Sequence, residues 1–311
     1  MRPLFRRVLV GVQIAALSLV LAACGGGEGS SGPPTLPKDQ QPVQKDVVRF
    51  LSQAGFGGSQ AEIDRTQRIG FAAWINEQFS LPQDRHQAYV DSQIAAATLA
   101  GQSTSQQNWV YESFWRTAVA GSDVLRNRVA FALSQIFVVS LADGTVGGYP
   151  RGVASYLDVL GRNAFGNFRT LLQDVSLHPM MGLYLSHLRN QKEDPSRGRV
   201  PDENYAREVM QLFTIGLYEL NPDGTVKLDS RNEPIETYTN EDVTGLAKVF
   251  TGWSWAGPDK SDTRFFGGNA WADREVQPMQ SYPKFHSTSE KRFLGTVVAE
   301  QASADPEASL R

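Results

Sequence analysis

Apolar positions recur at three- and four-residue steps along most of this chain, a period that predicts helices. Val47, Phe50, Leu51 and Ala54 share one face, and Gly55-Phe56-Gly57-Gly58 ends it. Ser59 stands as an N-cap with Glu62 three residues on, the spacing of a capping box. Phe71, Trp74, Ile75 and Phe79 predict a helix over 69–79 that stops at Leu81-Pro82. Segment 106–119 presents Trp109, Phe114, Trp115 and Ala118. Segment 123–141 reads as the strongest core helix, with Val124, Val129, Leu133, Ile136, Phe137 and Ser140 on its buried side. Three further helices are expected over 153–160, 165–176 and 179–188, then a polar loop over 189–201 and a helix over 204–217. Asn221-Pro222-Asp223-Gly224 is a turn. Residues 227–238 suit a short hairpin, and Thr239 with Asp242 opens a helix over 240–251. From Gly252 to about Phe285, Gly, Pro and aromatic residues follow no clean period. No strand series with parallel crossovers is visible, which argues against a doubly wound sheet, and no repeat of fixed length is found. The expectation is a mainly α, multi-helix globular domain with long irregular aromatic and Gly-rich loops and one short β-hairpin.

The start of the chain has a different pattern. Arg2, Arg6 and Arg7 precede an apolar run from Val8 to Val20, and Leu21-Ala22-Ala23-Cys24 follows with three glycines behind it. Basic, apolar, then small residues is the order of a secretory signal. The run falls short of the ~20 apolar residues of a transmembrane helix. The small-small-Cys ending resembles the bacterial lipobox, in which the Cys becomes the lipidated first residue. Cys24 is the only Cys, so no internal disulfide can stabilise the domain. The expected organisation is a lipoprotein signal peptide over 1–23, a flexible Gly-, Ser- and Pro-rich tether over 24–45 and a helical domain over 46–311. A lipid anchor makes the membrane a partner. By analogy with lipoprotein sorting, the absence of Asp after Cys24 points to the outer membrane.

Composition narrows the partners. Removing residues 1–23 takes away three Arg and no acid, moving the formal charge from −3 to −6. An acidic domain is a poor candidate for nucleic acid, whose recognition neutralises phosphates.

Candidate chemistry centres on Glu203-Asn204-Tyr205-Ala206-Arg207-Glu208. On a helix, Tyr205, Val209, Leu212 and Phe213 share an apolar face. Glu208 can then serve as general base or metal ligand, Asn204 as a substrate hydrogen bonder and Arg207 as an anion clamp. The same residues can equally be a solvated face with a Glu203–Arg207 brace. His178 and His187 lie nine residues apart, which puts them on opposite helix faces where they cannot share a metal, and His178-Pro179 marks a helix start. His286 stands as a lone acid–base or ligand candidate, or as a loop histidine without chemistry. Trp253 and Trp255 open an aromatic segment that is either a stacking surface for sugar or peptide, or core under a long loop. No metal, phosphate-loop or nucleophile-elbow motif is present, and no cofactor is indicated.

Several of these blocks together resemble a large bacterial family of secreted proteins, domain of unknown function 1800. The residues are Arg49-Phe50-Leu51-Ser52-Gln53-Ala54-Gly55-Phe56-Gly57, Asn204-Tyr205-Ala206-Arg207-Glu208 running to Gly216, and Glu241-Asp242-Val243 followed by Thr251-Gly252-Trp253. Where the family shows His-Asp-x-Gly, this chain has His286-Ser287-Thr288-Ser289, ahead of Lys291-Arg292-Phe293-Leu294-Gly295. The missing Asp weakens a His-Asp active site at that position. The resemblance implies a mainly helical exported protein, a chain that continues past residue 311, and a second secreted envelope protein as partner. It supplies no activity. The leading expectation is a lipid-anchored envelope protein of binding or assembly type. The alternative is a hydrolase of envelope or extracellular polymer, with Glu208, Asn204, Arg207 and His286 in one cleft.

Overall fold

Two helices packed on a small aromatic core open the domain in the computed structural model, which describes residues 35–310. The expected signal peptide, Cys24 and the tether as far as residue 34 lie outside the described residues. Helix α1 (Gln44–Ala54) buries Val47 and Leu51 against Ile63, Ile69 and Trp74 of α2 (Gln60–Ser80). Ser59 caps α2 as its spacing predicts, accepting from Glu62 N at 3.3 Å. The Glu62 carboxylate turns instead to Trp74 Nε1, at 2.6 Å. Helix α2 breaks at Gly70, whose φ of +79° is open to glycine at little cost. Leu36 lies over that break and its N–H donates to Arg68 O at 2.6 Å. Residues 35–43 thus have a docking face on α2.

The main core surrounds α6 (Pro150–Arg162), which packs on α3 (His86–Leu99), α4 (Asn108–Ala120), α5 (Val124–Ser134), α7 (Phe168–Leu177) and α8 (Pro179–Tyr184). Val153, Ala154, Tyr156 and Leu160 are buried, and so are the polar Ser155 and Asp158. Two helices depart from their predicted faces. Helix α5 ends at Ser134, and Ile136 and Val138 beyond it are exposed. Its buried residues are Asn127 and Ala130, because Asp123, which is buried just ahead of the helix, holds Asn127 Nδ2 at 2.8 Å and Asp84 N at 3.0 Å. Helix α4 buries Val110, Ser113 and Ala118 and leaves Trp115 exposed.

Helix α9 (Asn204–Glu208) passes into a π-helical turn over Val209–Thr214. An arm then leaves the core. Gly224 N donates to Asn221 O in the expected turn, and the strand-like segments meet through single bridges, Leu220 with Val226 and Leu228 with Pro234. Helix α10 (Asn240–Val249) carries a full capping box from Thr239 and Asp242. Beyond it, β1 (Trp253–Ser254) pairs with β2 (Gln280–Ser281), and β3 (Lys291–Phe293) pairs with β4 (Thr296–Val298), both antiparallel. Two short helices, α11 (Asp262–Phe265) and α12 (Pro306–Leu310), complete the described chain. The fold is mainly α with two short strand pairs, as the sequence predicts.

Candidate functional site

Helix α3 starts at Arg85-His86-Gln87 without a capping side chain of its own. Its first N–H groups need acceptors, and α6 supplies them. Asp158 Oδ1 accepts from His86 N at 2.7 Å, and Oδ2 accepts from Gln87 N at 3.1 Å. Arg85 Nε stands 3.7 Å from the same carboxylate. Burial pushes the Asp158 carboxyl up to about 6, against the two backbone donors and the nearby Arg85 and Arg162.

Around Asp158 opens a cleft of about 400 Å³ between α6, the α7–α8 junction and the 273–278 segment. That volume lies within the range of small-molecule sites. His178 closes one wall. Its Nδ1 accepts from Met180 N at 3.2 Å, capping α8, so Nε2 carries the proton and donates to Ser155 Oγ at 3.4 Å. Burial, with Arg162 nearby, lowers His178 to about 3, so the ring is neutral. At the rim, Arg151 binds Asp91 at 2.6 Å, Asp273 at 2.9 Å and Glu275 at 3.2 Å. Burial opposes its charge, but the three carboxylates outweigh that and raise its pKa. This guanidinium is a brace that pins the 273–275 segment to α3 and α6.

The other two arginines are less engaged. Arg85 and Arg162 are 60% and 59% exposed. Arg162 Nη2 bonds Asp174 at 3.1 Å, while its other nitrogens have no acceptor among the described residues. None of the Arg85 side-chain N–H groups has one either. The carboxylates beside them are already committed: Asp158 to α3, Asp174 to Arg162 and Asn163, Asp273 to Arg151. The cleft therefore presents spare donors of positive charge.

The residues singled out in the sequence fall elsewhere. Arg207 Nη2 sits 3.4 Å from Glu203 Oε2 and 3.4 Å from Asn240 Oδ1, and Glu203 Oε1 accepts from Thr244 at 3.0 Å. That is the brace between α9 and α10. Asn204 is exposed, with its Nδ2 3.5 Å from Ser186 Oγ. Glu208 Oε2 is buried without a hydrogen-bond partner. His286 is fully buried: Nδ1 donates to Thr251 O at 2.8 Å, and Nε2 lies 3.0 Å from Ser309 Oγ. Burial lowers it to about 4. Neither ring nitrogen of His286 is free to meet Glu208. Trp253 and Trp255 are buried, so they form no exposed stacking surface. Trp255 lies 5.8 Å from Tyr149 between ring centroids, under the Arg274 guanidinium at 4.7 Å. The family pattern's His-Asp position carries Ser287, whose hydroxyl, with that of Ser289, serves Glu193 Oε1.

The sequence did hold a signal for the cleft. Asp158 interrupts Tyr156-Leu157 and Val159-Leu160, and a carboxylate in so apolar a helix needs partners. Arg85 and Arg162 carry no such signal, because only the three-dimensional fold brings them to one cleft.

Fold and cleft define a mainly helical domain with a charged cleft of ligand size. The chain belongs to the family described as "Protein of unknown function (DUF1800)", whose model matches residues 49–311. No curated protein and no solved structure matches the chain. Among the described residues no helix is long and apolar enough to cross a membrane, and no cluster of His, Cys, Asp and Glu could hold a metal ion.

Proposed function

We propose that this protein is exported, held to the outer membrane through a lipid on Cys24, and that its work is binding. Its ligand carries a carboxylate or phosphate group, seated between Arg85 and Arg162. The observation that carries the reading is the pair of half-exposed guanidiniums with uncommitted donors, set among carboxylates that are already engaged. Guanidinium forks match planar anions bidentately. The order of basic, apolar and small residues ahead of Cys24 supports export and lipidation. A hydrolase built on Glu208 and His286 is the weaker reading, since His286 is buried with both nitrogens engaged.

Two experiments test this. Cys24→Ser is expected to move the protein from the membrane fraction to the soluble fraction; continued retention would argue against the lipid. For the cleft, inorganic phosphate and acetate serve as probes. Each is expected to raise the melting temperature of the protein, and Arg85→Ala combined with Arg162→Ala should weaken binding roughly 10- to 100-fold, the loss of one or two charge-assisted hydrogen bonds. An unchanged response in the double variant would remove the cleft from the function.

A further inference from the structure

A second cavity, of about 340 Å³, lies among the start of α3, α4, α5 with the segment that follows it, and α6. Val110, Phe114, Phe131 and Leu157 make its wall mostly apolar. Two buried polar side chains also line it, His86 and Asn127, at 4% and 6% exposure.

The hydrogen bonds decide what these two groups can offer. The Ser113 hydroxyl donates to Val110 O at 2.7 Å, so toward His86 Nδ1, 3.1 Å away, Ser113 can only accept. His86 Nδ1 therefore carries the proton and Nε2 the lone pair. Among the described residues nothing donates to Nε2. Burial lowers His86 to about 4, so the ring is neutral at ordinary pH. Asn127 follows the same logic. Its Nδ2 donates to Asp123 Oδ1 at 2.8 Å, which leaves Oδ1 as an acceptor without a partner. The Ser134 hydroxyl is taken by Phe131 O at 2.7 Å. The buried part of the wall is thus carbon with two unused acceptors.

Both acceptors line a cavity with room for water, and a ligand that displaces water from it must bring the donor that water would otherwise supply. An anion would meet lone pairs and no cation. A pure hydrocarbon would leave both acceptors unmet. We infer that this cavity binds a small, neutral, apolar molecule carrying a hydroxyl group, which donates to His86 Nε2. This site is separate from the arginine cleft and stands whether or not the cleft binds an anion.

The test compares 4-methylphenol with toluene, which share a shape and differ by one hydroxyl, using the full chain with Cys24→Ser so that no detergent is needed. Titration calorimetry is expected to show 4-methylphenol binding about tenfold more tightly, the ratio given by one net hydrogen bond. Ala130→Leu fills the cavity and should abolish binding of both. His86→Leu should bring the ratio toward one. Equal affinities in the unaltered cavity, binding of neither compound, or full discrimination in His86→Leu would each overturn the proposal. If His86→Leu does not fold, the ¹⁵N resonance of His86 Nε2 decides: it should move upfield on adding 4-methylphenol and stay in place with toluene. No movement with 4-methylphenol also overturns the proposal.

Discussion

Acidification from pH 7 to pH 5 is expected to remove about half or more of the folding stability of this domain. The chain has four histidines, His86, His178, His187 and His286, and every one is buried. Burial lowers their pKa values to about 4, 3, 4 and 4. The sign follows from proton linkage. Between pH 6.5 and the lowered values the unfolded chain binds more protons than the folded one, so stability is complete above pH 6.5 and falls as pH falls. At pH 5 each histidine contributes a loss of about 2 kcal/mol, about 8 kcal/mol together, against a usual total of about 5–15 kcal/mol. Asp158 works the other way. Its raised pKa of about 6 means that its carboxylate is least favoured above that pH, so acidification to pH 5 returns about 1 kcal/mol. Protonation also breaks specific contacts: His178 Nδ1 would no longer accept from Met180 N, which uncaps α8. Urea unfolding followed by near-ultraviolet circular dichroism between pH 7.5 and 4.5 measures the effect. A free energy of unfolding that stays level between pH 7 and 5 would show that these rings are not held neutral. His187→Phe removes a ring whose Nδ1 already lacks a partner and should flatten the pH slope by roughly a quarter.

The second large effect is expected at Gly245. Helix propensity alone predicts that Gly245→Ala in α10 stabilises the protein by up to ~1 kcal/mol. Packing predicts the reverse. Strand β3 crosses α10 so closely that a Cβ at residue 245 would overlap the carbonyl of Arg292. That carbonyl is backbone and cannot swing aside as a side-chain tip can. The interface is also tied by Asp242 Oδ1, which accepts from Leu294 N at 2.6 Å, and by Lys248 Nζ, which donates to Glu290 O at 3.0 Å. Shifting β3 to make room would strain both bonds. The expected net loss is about 3 kcal/mol, at the upper end for overpacking. Gly144→Ala is the control, since nothing lies near a Cβ there, and should stay within about 0.5 kcal/mol. A Gly245→Ala variant as stable as that control would mean that α10 and β3 do not pack this closely.

Gly245 also shows why the family blocks were legible in sequence while their purpose was not. Glu241-Asp242-Val243 and Lys291-Arg292-Phe293-Leu294-Gly295 are far apart along the chain, yet they form one interface in which an Asp of the first block holds an amide of the second. Asn204 to Glu208 packs on the same helix through Glu203, Arg207 and Thr244. Residue identities at such places answer to packing, which a pattern of types can display without explaining.

The same distinction runs through the whole chain. Periodicity and capping residues are local, so Ser59, Thr239 with Asp242, and the turn at 221–224 were readable from sequence and have the predicted geometry. The mainly helical class follows from the same local signals. The long helix expected over 123–141 failed because an apolar period cannot show that Asp123 and Asn127 hold the buried side through hydrogen bonds. Aromatic residues failed in both directions: Trp253 and Trp255 are interior, and Trp115 is outside. Ring content is a composition, whereas exposure depends on which helices pack over it. The sequence by itself determined the helical class, the family and the residues able to cap and turn the chain, since each is settled within a few positions. Only the tertiary structure decided where the chemistry gathers. Asp158 acquires its role from α3, Arg85 and Arg162 line one cleft from two helices, and His86 is left with an open lone pair because Ser113 has no proton to give it. Those are long-range electrostatic and hydrogen-bonding outcomes, set by neighbours that lie far apart along the chain.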